Sequence, residues 1–199
     1  GLDPCSKYVQ IANKSLGKCV HKKDILEFST KNKYDCIIAA DVLEHSVNPE
    51  KIFEKINSLL KTNGLLIIQG PNMLQLISEK TSLRLHTLSV FMKKLVNYYL
   101  YNKVNFNYQI PKLDKDTHKI DDADACYLIN PFDIFYLAKK ENQQIHYFST
   151  FYNPQKKFRG LKKYIILALN KTPIFNLMGG SLIFVGQATT AQKNIKLNK

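Results

Sequence analysis

Apolar residues recur along this chain in two rhythms, short continuous runs and helical spacings of three or four, and their alternation predicts an α/β fold. Residues 36–40 form an apolar run bounded by Tyr34-Asp35 and Asp41, as expected of a strand covered on both faces. Open α/β sheets place their ligands at the carboxyl ends of strands, which draws attention to Asp41, Glu44 and His45 just beyond this run. Ile52, Ile56, Leu59 and Leu60 then fall on one face of a helix. Asn48 is its expected cap, with Pro49 and Glu50 suited to the unsatisfied amides and positive dipole of the first turn. Lys61 is placed in the last turn and Asn63-Gly64 just past it as the stop, before an apolar strand over 65–68.

The cap-and-proline device returns at Asn130-Pro131, with Asp133 in the first turn of a helix reaching about residue 140. Residues 145–151 and 181–187 read as two further strands. Between the halves, residues 73–125 far exceed an ordinary connection and must carry structure or a role of their own. Leu83, Leu88, Phe91, Met92, Leu95, Tyr98 and Tyr99 predict one or two helices there, followed by a polar segment over 114–124. In residues 161–178, Lys162 and Lys163 precede an apolar helix ending near Pro173, a pattern that fits either a core-facing helix or a lipid surface.

At 199 residues and 45% hydrophobic content the chain can bury one core and counts as one domain. Its +13 formal charge would attract nucleic acid, anionic headgroups or acidic substrates without choosing among them. Against nucleic acid, Arg84 and Arg159 are the only arginines and no aromatic stacking motif is evident. Cys5, Cys19, Cys36 and Cys126 have no metal-ligand spacing and fit reduced cysteines of a cytoplasmic protein, with Cys36 a small core side chain. No apolar run approaches the ~18 residues of a membrane span.

The segment Asp41-Val42-Leu43-Glu44-His45 resembles the end of the fourth strand in class I S-adenosylmethionine-dependent methyltransferases (the type 11/23-like group), and the likeness extends further. Gly1-Leu2-Asp3-Pro4 and the helical residues 6–16 look like the end of that family's second strand and its next helix. His21-Lys22-Lys23-Asp24-Ile25 is similar to the end of its third strand, and residues 63–71 to the turn into its fifth. Residues 179–186 resemble its final antiparallel strand. The likeness covers residues 1–72, is weaker over 126–188 and is absent between. It implies a Rossmann-like sheet, mostly parallel with an antiparallel last strand, and a helical insertion after the fifth strand.

The resemblance also implies S-adenosylmethionine as cofactor. Asp3 would bond the ribose hydroxyls, Asp24 the adenine amino group with Ile25 on the ring, and Ala40 and Asp41 would lie along the same site. His45 would serve as general base, being near the expected methyl group with a near-neutral reference pKa. Read without the resemblance, Asp3 fits a helix cap and Asp24 an exposed turn. Some relatives use an acidic, acidic, histidine trio for a metal; none is assigned here. The family's glycine-rich first loop has no counterpart in the sequence, so the first strand and helix, roughly 30 residues, are expected to be missing, and such a fragment should bind cofactor poorly.

Methyl transfer asks mainly for alignment of the acceptor, because the sulfonium is already activated. The expected acceptor is a small molecule, lipid-linked or glycan-type, with residues 73–125 as lid or cover and peripheral membrane contact left open. A nicotinamide-dependent dehydrogenase fragment and a basic nucleic-acid-binding module are the alternatives.

Overall fold

The computed structural model describes residues 1–72, 74, 83–108, 126–151, 177 and 179–189, with backbone alone for 83–88. The polar segment 114–124 and most of 161–178 lie outside the described residues. The elements run β1 (Leu2–Asp3), α1 (Ser6–Leu16), β2 (His21–Lys22), β3 (Tyr34–Ala40), a 3-10 turn (Leu43–His45), α2 (Pro49–Leu59), β4 (Leu60–Pro71), α3 (Leu83–Tyr101), α4 (Pro131–Lys140), β5 (Gln143–Phe151) and β6 (Ser181–Ala188).

Four strands form one sheet in the order β3-β4-β6-β5, while β1 and β2 pair in parallel as a separate ribbon. β3 and β4 are parallel, and β6 runs antiparallel to both β4 and β5. The fold is thus an α/β Rossmann-like sheet with an antiparallel last strand. Both predicted caps form: Asn48 Oδ1 accepts from Lys51 N at 3.0 Å, and Asn130 Oδ1 accepts from Asp133 N at 3.3 Å.

One face of the sheet is closed. Ala39, Leu66, Ile68, Leu182 and Phe184 pack against Ile52, Phe53 and Ile56 of α2 and Ile134, Leu137 and Ala138 of α4. The opposite face differs from the sequence expectation. Side chains alternate across a strand, and along β3 the set on this second face, Cys36, Ile38 and Ala40, is exposed, with Ile38 at 68%. Cys36 is therefore a surface thiol rather than a core side chain. A continuous apolar run leaves two-sided burial open, because period-two patterning is lost whether or not both faces are covered.

The α2–β4 junction also departs from expectation. The helix ends at Leu59 and the strand starts at once with Leu60, so Lys61 lies in β4 rather than in a last helical turn. Its ammonium donates to both oxygens of Asp35 on β3, at 2.8 and 2.9 Å, and holds that carboxyl below its usual pKa. Asn63 takes the left-handed conformation (φ 64°) inside the strand instead of stopping the helix. Cross-strand pairing with β3 outweighed the local stop signal.

α3 packs on α4. The Phe91 and Phe132 rings are 5.4 Å apart, those of Tyr98 and Phe132 6.0 Å, and Lys94 reaches the buried Asp133 at 3.1 Å.

Candidate cofactor site

The predicted residues lie at or just beyond carboxyl ends of parallel-paired strands, Asp3, Asp24 and Ile25 at one sheet and Ala40, Asp41 and His45 at another. Asp3 ends β1, and Lys23 N donates to its carbonyl at 3.2 Å, which brings the β2 exit carrying Asp24 alongside. Asp3 Oδ1 accepts from Cys5 N at 2.7 Å and Asp24 Oδ1 accepts from Leu26 N at 2.7 Å. Each carboxylate is thereby oriented by the backbone two residues on, an arrangement aspartate side chains favour. The cap reading of Asp3 is partly realised: it shapes the turn entering α1, whose N-cap residue is Cys5. Ile25 is half-buried against the main core beside the exposed Asp24.

Ala40 closes β3 in register with Gln69 of β4, and both Ala40 and Asp41 are exposed. Asp41 is left-handed (φ 49°), a conformation aspartate tolerates better than most residues. Its amide donates to Gln69 O at 2.9 Å, and Gln69 Nε2 donates to Asp41 Oδ1 at 3.2 Å. The strand end is therefore pinned by a backbone and a side-chain bond to the same neighbour.

Asp41, Glu44 and His45 do not share one face. Glu44 is buried and His45 exposed, because the segment is a single 3-10 turn in which neighbouring side chains diverge. The Glu44 carboxylate lies beside Gly70 of β4, where a Cβ would be 3.4 Å from Oε2. Glu44 also accepts, through its carbonyl, from Cys126 N at 2.8 Å and Tyr127 N at 2.9 Å. It joins the β3 exit to the segment preceding α4. Among the described residues no three His, Cys, Asp or Glu side chains gather for a metal.

Two polar residues of β4 and its exit escaped the sequence reading. Gln69 orients Asp41, and buried Asn72 donates to the carbonyls of Leu177 at 3.0 Å and Gly179 at 2.7 Å while accepting from Leu74 N at 3.0 Å. Polar side chains closing the apolar run 65–68 were the available signal. A separate concavity between α1 and β2, lined by Val9, Gln10, Asn13, Lys14, Lys18, Val20 and His21, contains none of the strand-end carboxylates.

The donor set suits an adenosyl group. A carboxylate accepts from vicinal hydroxyls or an amino group, the polar groups that an adenosyl moiety presents. A family model described as a methyltransferase domain matches residues 12–120, more than half of the chain. The chain belongs to the methyltransferase domain family. Solved structures agree on the fold. A SAM-dependent methyltransferase from Archaeoglobus fulgidus is 14% identical with a TM-score of 0.55, covering 94% of this chain and 74% of that one. One from Methanosarcina mazei is 11% identical with a TM-score of 0.54, covering 95% and 81%. A Thermotoga maritima SAM-dependent methyltransferase, described as a possible histamine N-methyltransferase, is 13% identical with a TM-score of 0.52, covering 95% and 72%. No curated protein matches the chain. The enzyme class of this methyltransferase is S-adenosylmethionine-dependent methyl transfer, and S-adenosylmethionine is the cofactor of that class.

Proposed function

We propose that this methyltransferase moves the methyl group of S-adenosylmethionine to a small-molecule acceptor of lipid-linked or glycan type. The observation that supports the cofactor side is the placement of Asp3, Asp24 and Asp41 at or just beyond the carboxyl ends of β1, β2 and β3, each strand paired in parallel with a neighbour, and each carboxylate with one oxygen already oriented by an internal hydrogen bond. Asp3 holds the ribose hydroxyls, Asp24 and Ile25 the adenine, and Ala40 and Asp41 the rim facing the rest of the cofactor. The cofactor supplies an activated methyl group; the chain supplies position. His45, exposed on the turn beyond β3, takes the acceptor proton. The insertion 73–125 begins where β4 ends, next to Gln69 and Asn72, which supports a role for it on the acceptor side.

Calorimetry of the native protein with S-adenosylhomocysteine tests the cofactor side. Asp3→Ala removes a charged acceptor and is expected to weaken binding by about tenfold or more. Unchanged affinity would remove Asp3 from the site. For an acceptor that must lose a proton, His45→Ala is expected to lower kcat by about 100-fold with cofactor affinity intact. An equal loss of cofactor affinity would make His45 a binding residue instead.

A further inference from the structure

Helix α3 is apolar on both sides, and only one side is packed. Its inner face, Phe91, Leu95 and Tyr98, lies against Phe132, Leu74 and Leu177. Met92, Val96, Tyr99 and Leu100 follow at i, i+4, i+7 and i+8, so they form one stripe on the side away from α4. They stand in solvent, 48%, 39%, 68% and 72% exposed, where a helix resting on a protein body normally presents polar residues.

The surrounding charge selects the occupant. Helix α3 and its exit, residues 83–108, contain Arg84, Lys93, Lys94 and Lys103 and no acidic residue. Lys94 is spent inside on Asp133, but Lys93 and Lys103 are exposed. A second copy would bring like charges together, and one convex helix offers no groove for a peptide. We infer that the outer face of α3 docks on an anionic phospholipid bilayer surface. Met92, Val96 and Leu100 enter the headgroup boundary, and Tyr99 sits there with its ring in apolar surroundings and its hydroxyl in water. Lys93 and Lys103 face the lipid phosphates.

Flotation of the native protein with phosphatidylcholine vesicles, with and without phosphatidylglycerol, tests this in the absence of cofactor and acceptor. A negative result therefore leaves the methyl-transfer reading untouched. Binding is expected with phosphatidylglycerol, weaker as sodium chloride rises, and about tenfold or more weaker in Tyr99→Ser/Leu100→Ser. These side chains are exposed, so the variant's circular dichroism should match the parent. The inference is overturned by absent binding at low salt, by undiminished binding of the variant, or by a concentration-dependent dimer that the variant abolishes without any vesicle binding.

Discussion

Replacing Lys94 with alanine is expected to destabilise the protein by about 3–5 kcal/mol, as found when one partner of a buried ion pair is removed. Asp133 is fully buried, and Lys94 Nζ donates to its two oxygens at 3.1 and 3.3 Å and to Asn105 O at 2.8 Å. Tyr127 Oη and Asn130 Nδ2 also donate to Asp133, at 2.6 and 2.5 Å. Without the ammonium, a carboxylate stays in the interior with only neutral donors. The loss should appear as a lower urea midpoint and as faster amide exchange in α3, because this pair joins α3 to α4.

The pH dependence distinguishes charge from packing. Burial is the largest influence on Asp133 and pushes its pKa up, partly countered by Lys94 and then by the Tyr127 and Asn130 hydrogen bonds. A raised carboxyl pKa means that the folded state holds the proton more readily than the unfolded one. Through this group, stability falls as pH rises from the ordinary carboxylate range to the raised value, and recovers on acidification. Lys94→Met removes the counter-charge and widens that window, so its deficit should shrink between pH 7 and pH 5, roughly the range left open by the reference carboxylate pKa. Lys94→Met/Asp133→Asn, with no buried charge, should recover most of the loss. An equal deficit at both pH values would assign the effect to lost packing around the lysine stem.

The elements whose signals were local were legible in the sequence. Asn48-Pro49 and Asn130-Pro131 mark α2 and α4 because a cap and its proline act within one helical turn, and both caps form. The antiparallel sense of the last strand and the placement of Asp3 and Asp24 at strand ends came from resemblance, whereas the apolar run 36–40 itself put Asp41 at a strand end. What escaped was set by tertiary partners. Lys61 joined β4 as that strand paired with β3, Glu44 turned inward where the chain forms a single 3-10 turn, and Asp133, expected in the first turn of a helix, is a buried charge because α3 brings Lys94 to it. The roles of Gln69 and Asn72 depend on partners distant in the chain, the Asp41 carboxylate and the Leu177 and Gly179 carbonyls, which only the fold brings to them.

The asymmetry of the main sheet yields the second large effect. Phe53→Ala is expected to cost about 3–5 kcal/mol, the range for truncating a fully buried aromatic residue. Phe53 is fully buried on α2, with its ring 6.4 Å from that of Phe184 at the centre of β6. Neighbouring Leu66, Ile68 and Leu182 belong to sheet positions that cannot collapse into the void without breaking their ladders. Ile38→Ala is the matched control. Ile38 lies in one cross-strand row with Ile67, Val185 and Tyr147 on the second face, and most of its surface is in water. Its truncation should therefore change stability by no more than about 0.5 kcal/mol. Urea unfolding of both variants measures the difference directly. If Ile38→Ala cost as much as Phe53→Ala, both faces of β3 would have to be covered, as the unbroken apolar run had suggested; a large difference would establish that only the α2–α4 side carries the core.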